Sequence, residues 1–303
     1  MIDFRKLTGE DYDRFQEFLP LCHGRGCEYS FVNLSIWGRQ KAAFLDGFLV
    51  LFSQFGRNSV YPFPLGKGDA KPILDAIIQD ARMRGIPCRI SSMTEADCRL
   101  LEALYPGQFR FHADRDHYDY VYPTQALADL TGKRYQSKRN FANRFHANYP
   151  DAQFLPLDSA TEDMARQLVD RWCEEKLAAD PLADFLMERT ALDRAFRNRE
   201  ALGLEGLVLV NEGQCVAMTM GSRLSHDTFD IHFEKAISGY DGAYAAINRG
   251  FARYLQEKYP EVIFLNREDD MGIEGLRKAK LSYHPDHLVE KYWARLWEAD
   301  DEH

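Results

Sequence analysis

The stretch Thr228-Phe229-Asp230-Ile231-His232-Phe233-Glu234-Lys235 is the densest run of chemistry-bearing residues in the chain. In an extended strand successive side chains point to opposite faces. Phe229, Ile231 and Phe233 then share one face, and Asp230, His232 and Glu234 share the other. Three ionisable groups on one face of a mid-domain strand are costly unless they pair or face a cavity. The functional reading is a polar cleft that orients a nucleophile or takes its proton. The plainer reading is an edge strand with one wet face. Next comes Ser238-Gly239-Tyr240-Asp241-Gly242, a turn that opens a helix. Free backbone N–H groups and the helix dipole at such a place suit a phosphate or carboxylate, which makes Gly239 and Gly242 candidate anion-binding positions. Gly66-Lys67-Gly68 holds the same slot in the first half with a weaker signal. Asn266-Arg267-Glu268-Asp269-Asp270 follows a buried-type strand, and such strand ends are common ligand positions in α/β sheets. Glu268 and Asp269 suit an amino group there, and Asn266 suits a carbonyl. A solvated helix cap is the alternative.

From Thr131 to Pro150 there is no acidic residue, while Lys133, Arg134, Lys138, Arg139 and Arg144 alternate with Tyr135, Phe141 and Phe145. Basic and aromatic residues mixed in this way can hold a phosphate backbone and stack a base. A helix with a charged outer face and an aromatic inner one is the competing reading. The whole chain carries a formal charge of −9, which excludes a nucleic-acid coat over its surface but not a local basic groove.

These residues must be positioned by 303 residues of ordinary globular composition, 45% hydrophobic and 28% charged, enough for two domains. The six cysteines are scattered without a Cys-x-x-Cys pair. Cys22-His23 with Cys27 has no second ligand pair, so no metal site is expected. The first residues have no apolar signal core, and no apolar run reaches 18 residues. A reduced, cytoplasmic protein is expected. Nucleophile-elbow, Walker, zinc-protease and kinase motifs are absent from the sequence, so hydrolase, NTPase and zinc-protease readings have no support.

Periodicity and turn chemistry lay out the elements. A helix starts at Thr8, and a second covers Tyr29 to Trp37. Asp46-Gly47 joins two apolar runs into a hairpin. A strand through Tyr61, a helix carrying Ile73, Leu74, Ile77 and Ile78, and a strand near Ile90 follow. A helix capped by Thr94 and Asp97 comes next, then strands near 109–112 and 117–122. The second half repeats the order. Ser159 and Glu162 read as a capping box before a helix with Met164, Leu168 and Trp172. A helix over 187–199 and a hairpin about Asn211–Gln214 come next. The 228–235 strand, a long helix with Ile247, Phe251 and Leu255, a strand at 262–265, a helix over 272–280 and one last strand near 287–294 complete it. A duplicated α/β unit is the economical explanation, with the join near 122–130. This order is also that of a GNAT-type acyltransferase, although Gly239 stands where the usual turn has Gln or Arg, and Tyr244 where it ends in a small residue.

Several motifs together resemble the DUF2156 family, which is similar to the C-terminal catalytic domain of phosphatidylglycerol lysyltransferase. They are Lys133…Ser137-Lys138-Arg139-Asn140, His232-Phe233-Glu234-Lys235-Ala236, Gly242-Ala243-Tyr244…Ile247-Asn248 and, above all, the run from Asn266-Arg267-Glu268-Asp269-Asp270 to Ser282-Tyr283-His284-Pro285. The resemblance covers nearly the whole chain. It implies two tandem GNAT-like domains in a mixed α/β fold, related to the FemABX peptidyl transferases. Residues 1–123 would form the first and 124–303 the second, which would carry the active site. The lysyltransferase domain moves an aminoacyl group from charged tRNA to a lipid hydroxyl. The transmembrane helices that precede it in the full-length lipid enzyme are not in this chain, so the expected acceptor is a small molecule or a lipid headgroup reached without a membrane span.

On this basis the expected activity is aminoacyl transfer from aminoacyl-tRNA to a hydroxyl or amine, with no further cofactor. His232 or Glu234 would take the acceptor's proton. Lys235 and Arg267 would counter developing negative charge. Asp230, Asn266, Glu268 and Asp269 would bind substrate, the last two through the donor's ammonium group. Lys138, Arg139 and Arg144 would hold tRNA phosphate. Two alternatives stand beside this reading: an acyl-CoA (acetyl-CoA) N-acyltransferase using the turn at Gly239 and Gly242, and a non-catalytic binding module on the same fold.

Overall fold

The computed structural model describes residues 1–55, 58–180 and 185–297. The chain runs through two similar rounds of elements. The first comprises α1 (Tyr12–Gln16), α2 (Phe31–Ile36), the hairpin β1 (Gln40–Leu45) and β2 (Phe48–Phe55), β3 (Asn58–Pro62), β4 (Leu65–Gly66), α3 (Lys71–Arg84), β5 (Arg89–Met93), α4 (Glu95–Leu104), β6 (Phe109–Ala113) and β7 (Asp119–Pro123). The second begins with α5 (Thr124–Asp129), α6 (Gln136–Asn148), β8 (Gln153–Pro156), α7 (Glu162–Ala179) and α8 (Leu186–Arg197). It continues with the hairpin β9 (Glu205–Asn211) and β10 (Gln214–Arg223), β11 (Thr228–Ala236), α9 (Ala243–Lys258), β12 (Phe264–Asn266), α10 (Glu274–Leu281), β13 (His287–Val289) and β14 (Tyr292–Leu296).

Local chemistry accounts for many of these boundaries. Both hairpin turns place two residues at positive φ, Asp46 with Gly47 and Glu212 with Gly213, which matches the turn twist to that of the strands. Thr94 and Asp97 form the expected reciprocal cap of α4. The expected box between Ser159 and Glu162 does not form. The Asp158 carboxylate, a stronger acceptor than a serine hydroxyl, takes the N–H groups of Ala160 and Thr161 at 2.8 and 3.2 Å, and the Thr161 hydroxyl donates to the Pro156 carbonyl.

The strands form two seven-stranded mixed sheets, in the orders β1-β2-β3-β5-β14-β6 (with β4 on β2) and β13-β7-β12-β11-β10-β9-β8. Among the described strands each sheet has one parallel pair, β3 with β5 and β11 with β12, at equivalent places in the two rounds. The rounds exchange a strand. β7, from the first, lies between β12 and β13, and β14, from the second, lies between β5 and β6. The single strand expected near 287–294 is therefore two strands in two sheets, with Glu290 and Lys291 crossing between them. A division between residues 123 and 124 would part β7 from both strands it pairs with.

The larger core packs α9, α7 and α8 on the second sheet and also takes in Phe15, Phe31, Val32 and Ile36 from the first helices. A smaller core lies between α3, α4 and the first sheet. α2 is thus tied to the second sheet, which sets its polar residue Asn33 beside β11. No helix among the described residues is long and apolar enough to cross a membrane.

Candidate active site

The parallel strands β11 and β12 pair only from Thr228 to Asp230. Beyond that point β11 runs on to Ala236 beside β10 alone, and the two strands part. A cavity of about 930 Å³ lies at this open end, lined by Lys138, Trp172, Glu175, Tyr244, Tyr283 and the turn from Ile237 to Gly242.

The polar residues of β11 do not share one face. Opposite β10 the register slips: Met220 faces Phe233, but Gly221 faces Ile231, so His232 is the extra residue of a β-bulge. A Cβ at Gly221 would lie 2.4 Å from the Asp230 carbonyl oxygen, so a glycine there lets the strands approach at the bulge. Asp230, before the bulge, and His232, within it, turn toward α2. The Asn33 amide lies 3.5 Å from Asp230 Oδ2, and His232 Nδ1 lies 3.2 Å from Glu268 Oε1. After it, Glu234 turns toward α9, where it accepts from Asn248 Nδ2 at 3.0 Å and from Arg267 Nη2 at 2.9 Å. The expected triad of Asp230, His232 and Glu234 thus divides between two faces of the sheet.

Tyr283 lines the cavity with Lys138, whose Nζ lies 4.2 Å from the centre of its ring, and the Arg267 guanidinium lies 4.9 Å from the same ring. The Tyr122 ring centre also lies 5.7 Å from the Arg267 guanidinium. Among the described residues four buried polar atoms here lack a hydrogen-bond partner: Arg267 Nη1 and Asn248 Oδ1 on the two residues that bond Glu234, Thr219 Oγ1 opposite Glu234 on β10, and Trp172 Nε1 in the cavity wall. The first two, one unfilled donor and one unfilled acceptor, flank Glu234, and buried polar atoms of this kind normally find partners. Burial opposes the charge on Arg267, but Glu234 together with Tyr122 and Tyr283 outweighs it and holds the guanidinium above its ordinary pKa. Burial, and then the charge of Arg267, push the Lys138 ammonium below its ordinary value. Burial pushes the Tyr283 hydroxyl up to about 12, so it stays neutral.

The remaining residues singled out from sequence have other partners. Lys235 pairs with Glu188 at 2.5 Å and sits 3.9 Å above the Trp172 ring. Asn266 is buried and supports the loop it begins: its amide donates to Asp119, and its oxygen accepts from the Glu268 N–H. Asp269 meets His117 at 3.0 Å. Arg139 spends its guanidinium on Leu130, Gly132 and Gln136, all close to its own helix, and Arg144 pairs with Asp241 on the surface. Gly242, at φ 86°, sits where α6 crosses the start of α9, and a Cβ there would lie 2.1 Å from the Phe141 carbonyl oxygen. Gly239, at φ 85°, is open to the cavity turn. In the first half the matching turn is filled, because Gly66 packs against the Phe48 ring.

Asn248, Tyr122 and Asn33 had no role in the sequence reading. Asn248 lies in a motif quoted above, one turn and a half into α9, so its reach back to β11 was available from helix geometry. Nothing local marks Tyr122 or Asn33.

The family model for phosphatidylglycerol lysyltransferase, C-terminal, matches residues 20–295. The structure superposes with a TM-score of 0.92 on a conserved protein of unknown function from Bacteroides thetaiotaomicron, at 40% identity over 98% of this chain and 100% of that one. The L-PGS structure from Bacillus licheniformis shares the fold at 16% identity (TM-score 0.67, 95% of this chain and 93% of that one). FemX does so at 10% (TM-score 0.61, 96% and 97%). An uncharacterized protein of Mycoplasmoides gallisepticum is 24% identical over 184 residues, which are 59% of this chain and only 56% of that protein.

Proposed function

Because this chain belongs to the phosphatidylglycerol lysyltransferase C-terminal family, we propose that it transfers an aminoacyl group from aminoacyl-tRNA to a hydroxyl or amine acceptor, at the cavity where β11 and β12 part. The observation that carries this reading is the pair of unfilled buried atoms, Arg267 Nη1 and Asn248 Oδ1, on either side of Glu234. An aminoacyl ester has a carbonyl oxygen that becomes negative during attack and an ammonium group that needs acceptors. Arg267 Nη1 answers the first and Asn248 Oδ1 the second. The ester is already activated, so alignment, charge stabilisation and exclusion of water are the tasks left to the protein.

In this mechanism the acceptor's oxygen or nitrogen bonds to the ester carbonyl carbon. Glu234 takes the acceptor's proton, and Arg267 balances the oxyanion. The bond to the ribose oxygen then breaks, and that oxygen receives the proton. Lys138, with its lowered pKa, stands beside Arg267 as a second proton carrier. His232, Glu268 and Asp269 have no part in it, since their contacts lie with α2 and His117. Lys133, Arg134 and Arg253 are exposed and supply charge for a phosphate backbone.

Acyl-CoA is the poorer fit. The Ser238 N–H already donates to Glu175, and Glu175 with Asp241 puts carboxylates where a pyrophosphate would lie. The test is transfer from labelled aminoacyl-tRNA to a panel of amines and hydroxyl compounds, with binding of charged tRNA and acetyl-CoA measured side by side at low and physiological salt. Salt-sensitive binding of charged tRNA, with turnover lost in Glu234→Gln and Arg267→Ala, is expected. Acetyl-CoA binding alone would replace the reading with an N-acyltransferase. Binding of neither would make the chain a non-catalytic module.

A further inference from the structure

On the opposite face of β11 lies a second cluster. His232 Nδ1 stands 3.2 Å from Glu268 Oε1 and 3.5 Å from Asp230 Oδ2, and the side chains of Asp230 and His232 are completely buried. We propose that Asp230, His232 and Glu268 form a binding site for one zinc-like divalent cation, separate from the transfer cavity.

Four features support it. First, the spacing suits it: the two separations from His232 match the about 3.3–3.4 Å between N and O ligands of a tetrahedral zinc with bonds of about 2.0–2.1 Å, and all three ligand atoms lie within 4.8 Å of one another. Second, Asp230 lacks donors. Its Oδ1 has no hydrogen-bond partner among the described residues. Among the described residues the only polar contacts of its Oδ2 are His232 and the Asn33 amide, both at 3.5 Å. The two hydrogens of that amide are taken by shorter bonds to Glu268 Oε1 at 2.8 Å and the Cys27 carbonyl at 3.1 Å. A fully buried carboxylate oxygen without a donor is costly. Third, the other ring nitrogen, His232 Nε2, meets Ser222 Oγ at 2.8 Å. If Nε2–H donates there, the Nδ1 lone pair faces two carboxylates, an arrangement that a cation reconciles, and metal-bound histidines characteristically anchor their second nitrogen in this way. Fourth, carboxyl groups outnumber the cations around the site. Asp119, Glu28, Asp230 and Glu268 gather here with two buried lysines, Lys291, spent on Asp119 at 2.6 Å and Glu28 at 2.7 Å, and Lys280, which donates to the Glu268 carbonyl at 3.1 Å.

Glu268 reaches the cluster with its backbone in the left-handed region, φ 58°, where a non-glycine residue is strained. A bound cation would join β11, the loop after β12 and, through Asn33, helix α2.

The test uses the full chain stripped with EDTA. After addition of zinc chloride and gel filtration, about one retained zinc per chain and a raised melting temperature are expected. Asp230→Asn and His232→Gln should each weaken binding by at least about 100-fold, and Ser222→Ala, a positioning change, by about 10–100-fold. His226→Ala should leave binding intact, which separates this site from the trio of exposed His23 and His226 with buried Asp227. Should the buried variants fail to fold, cobalt decides on the wild-type chain and on His226→Ala: a visible absorption band typical of tetrahedral cobalt in both supports the site. No retained zinc with no cobalt band overturns the proposal, as does zinc binding that survives in folded Asp230→Asn and His232→Gln. Loss of zinc binding with transfer activity unchanged would leave the proposed function standing, and the reverse result would leave the cation site standing.

Discussion

Replacing Lys291 with methionine tests how the exchanged strands are held. Lys291 lies just before β14 and Asp119 begins β7, so their 2.6 Å ion pair joins the two strands that each half gives to the other. The Asp119 side chain is fully buried and that of Lys291 nearly so, with Glu28 as a second partner at 2.7 Å. Burial works against the lysine charge, yet the carboxylates hold its pKa well above the ordinary value. Methionine keeps the stem's volume and removes the charge, so packing losses stay small. Removing one partner of a buried pair typically costs about 3–5 kcal/mol, because the other charge stays buried and unpaired. Asp119 keeps bonds from the Cys27 N–H and Asn266 amide, which places the expected loss near 3 kcal/mol on that scale. For a chain of this length that is a fall in melting temperature of about 5 °C. Urea unfolding and calorimetry on Lys291→Met, on Asp119→Asn and on the double variant measure it. The double variant should recover part of the loss, since it removes the stranded charge. A single-variant loss below about 1 kcal/mol, or strictly additive losses, would refute the view that this pair is a buried charge lock.

Glu234→Gln and Arg267→Ala should each abolish most aminoacyl transfer while the fold persists by circular dichroism; unchanged turnover in either removes that residue from the mechanism. Gly242→Ala should destabilise the chain by more than about 1–2 kcal/mol, since the left-handed backbone alone costs about that much and the Cβ would also press on the Phe141 carbonyl; urea unfolding within error of wild type would contradict this. Hydrogen bonds from Arg277, and then from Tyr120 and the Gly272 N–H, hold the Asp270 carboxyl below its ordinary pKa against the opposing effect of burial. Its contribution to stability is therefore complete above about pH 4 and is lost as the pH falls through the lowered value. Melting temperatures between pH 6 and 2 should show a shallower acid decline in Arg277→Gln than in wild type, and equal slopes would count against it.

Much of the fold was legible in the sequence because its causes are local. Two positive-φ residues at Asp46-Gly47 and at Glu212-Gly213 close hairpins whatever surrounds them, and apolar spacing through Ile73, Leu74, Ile77 and Ile78 marks a buried helix face in α3. The repeated order of elements and the motif from Asn266 to Pro285 pointed to the family. Of the residues singled out from sequence, Glu234 and Arg267 pair at 2.9 Å, and Arg267 and Lys138 share the Tyr283 ring. What the sequence left open depends on pairing between distant segments. Strict alternation placed Glu234 with Asp230 and His232, but the register against β10 inserts a bulge at His232 and sends Glu234 to the other face. One apolar run near 287–294 became two strands in two sheets, since only the partners β7, β5 and β6 decide where each part pairs. Asn33, 197 residues before Asp230, reaches that buried carboxylate only because α2 packs on the second sheet. Residue types and periods therefore determined which elements form and which side chains are of a kind that can carry chemistry. The tertiary structure decided which of those side chains meet, because strand register and strand exchange are set by contacts that no local window of sequence contains.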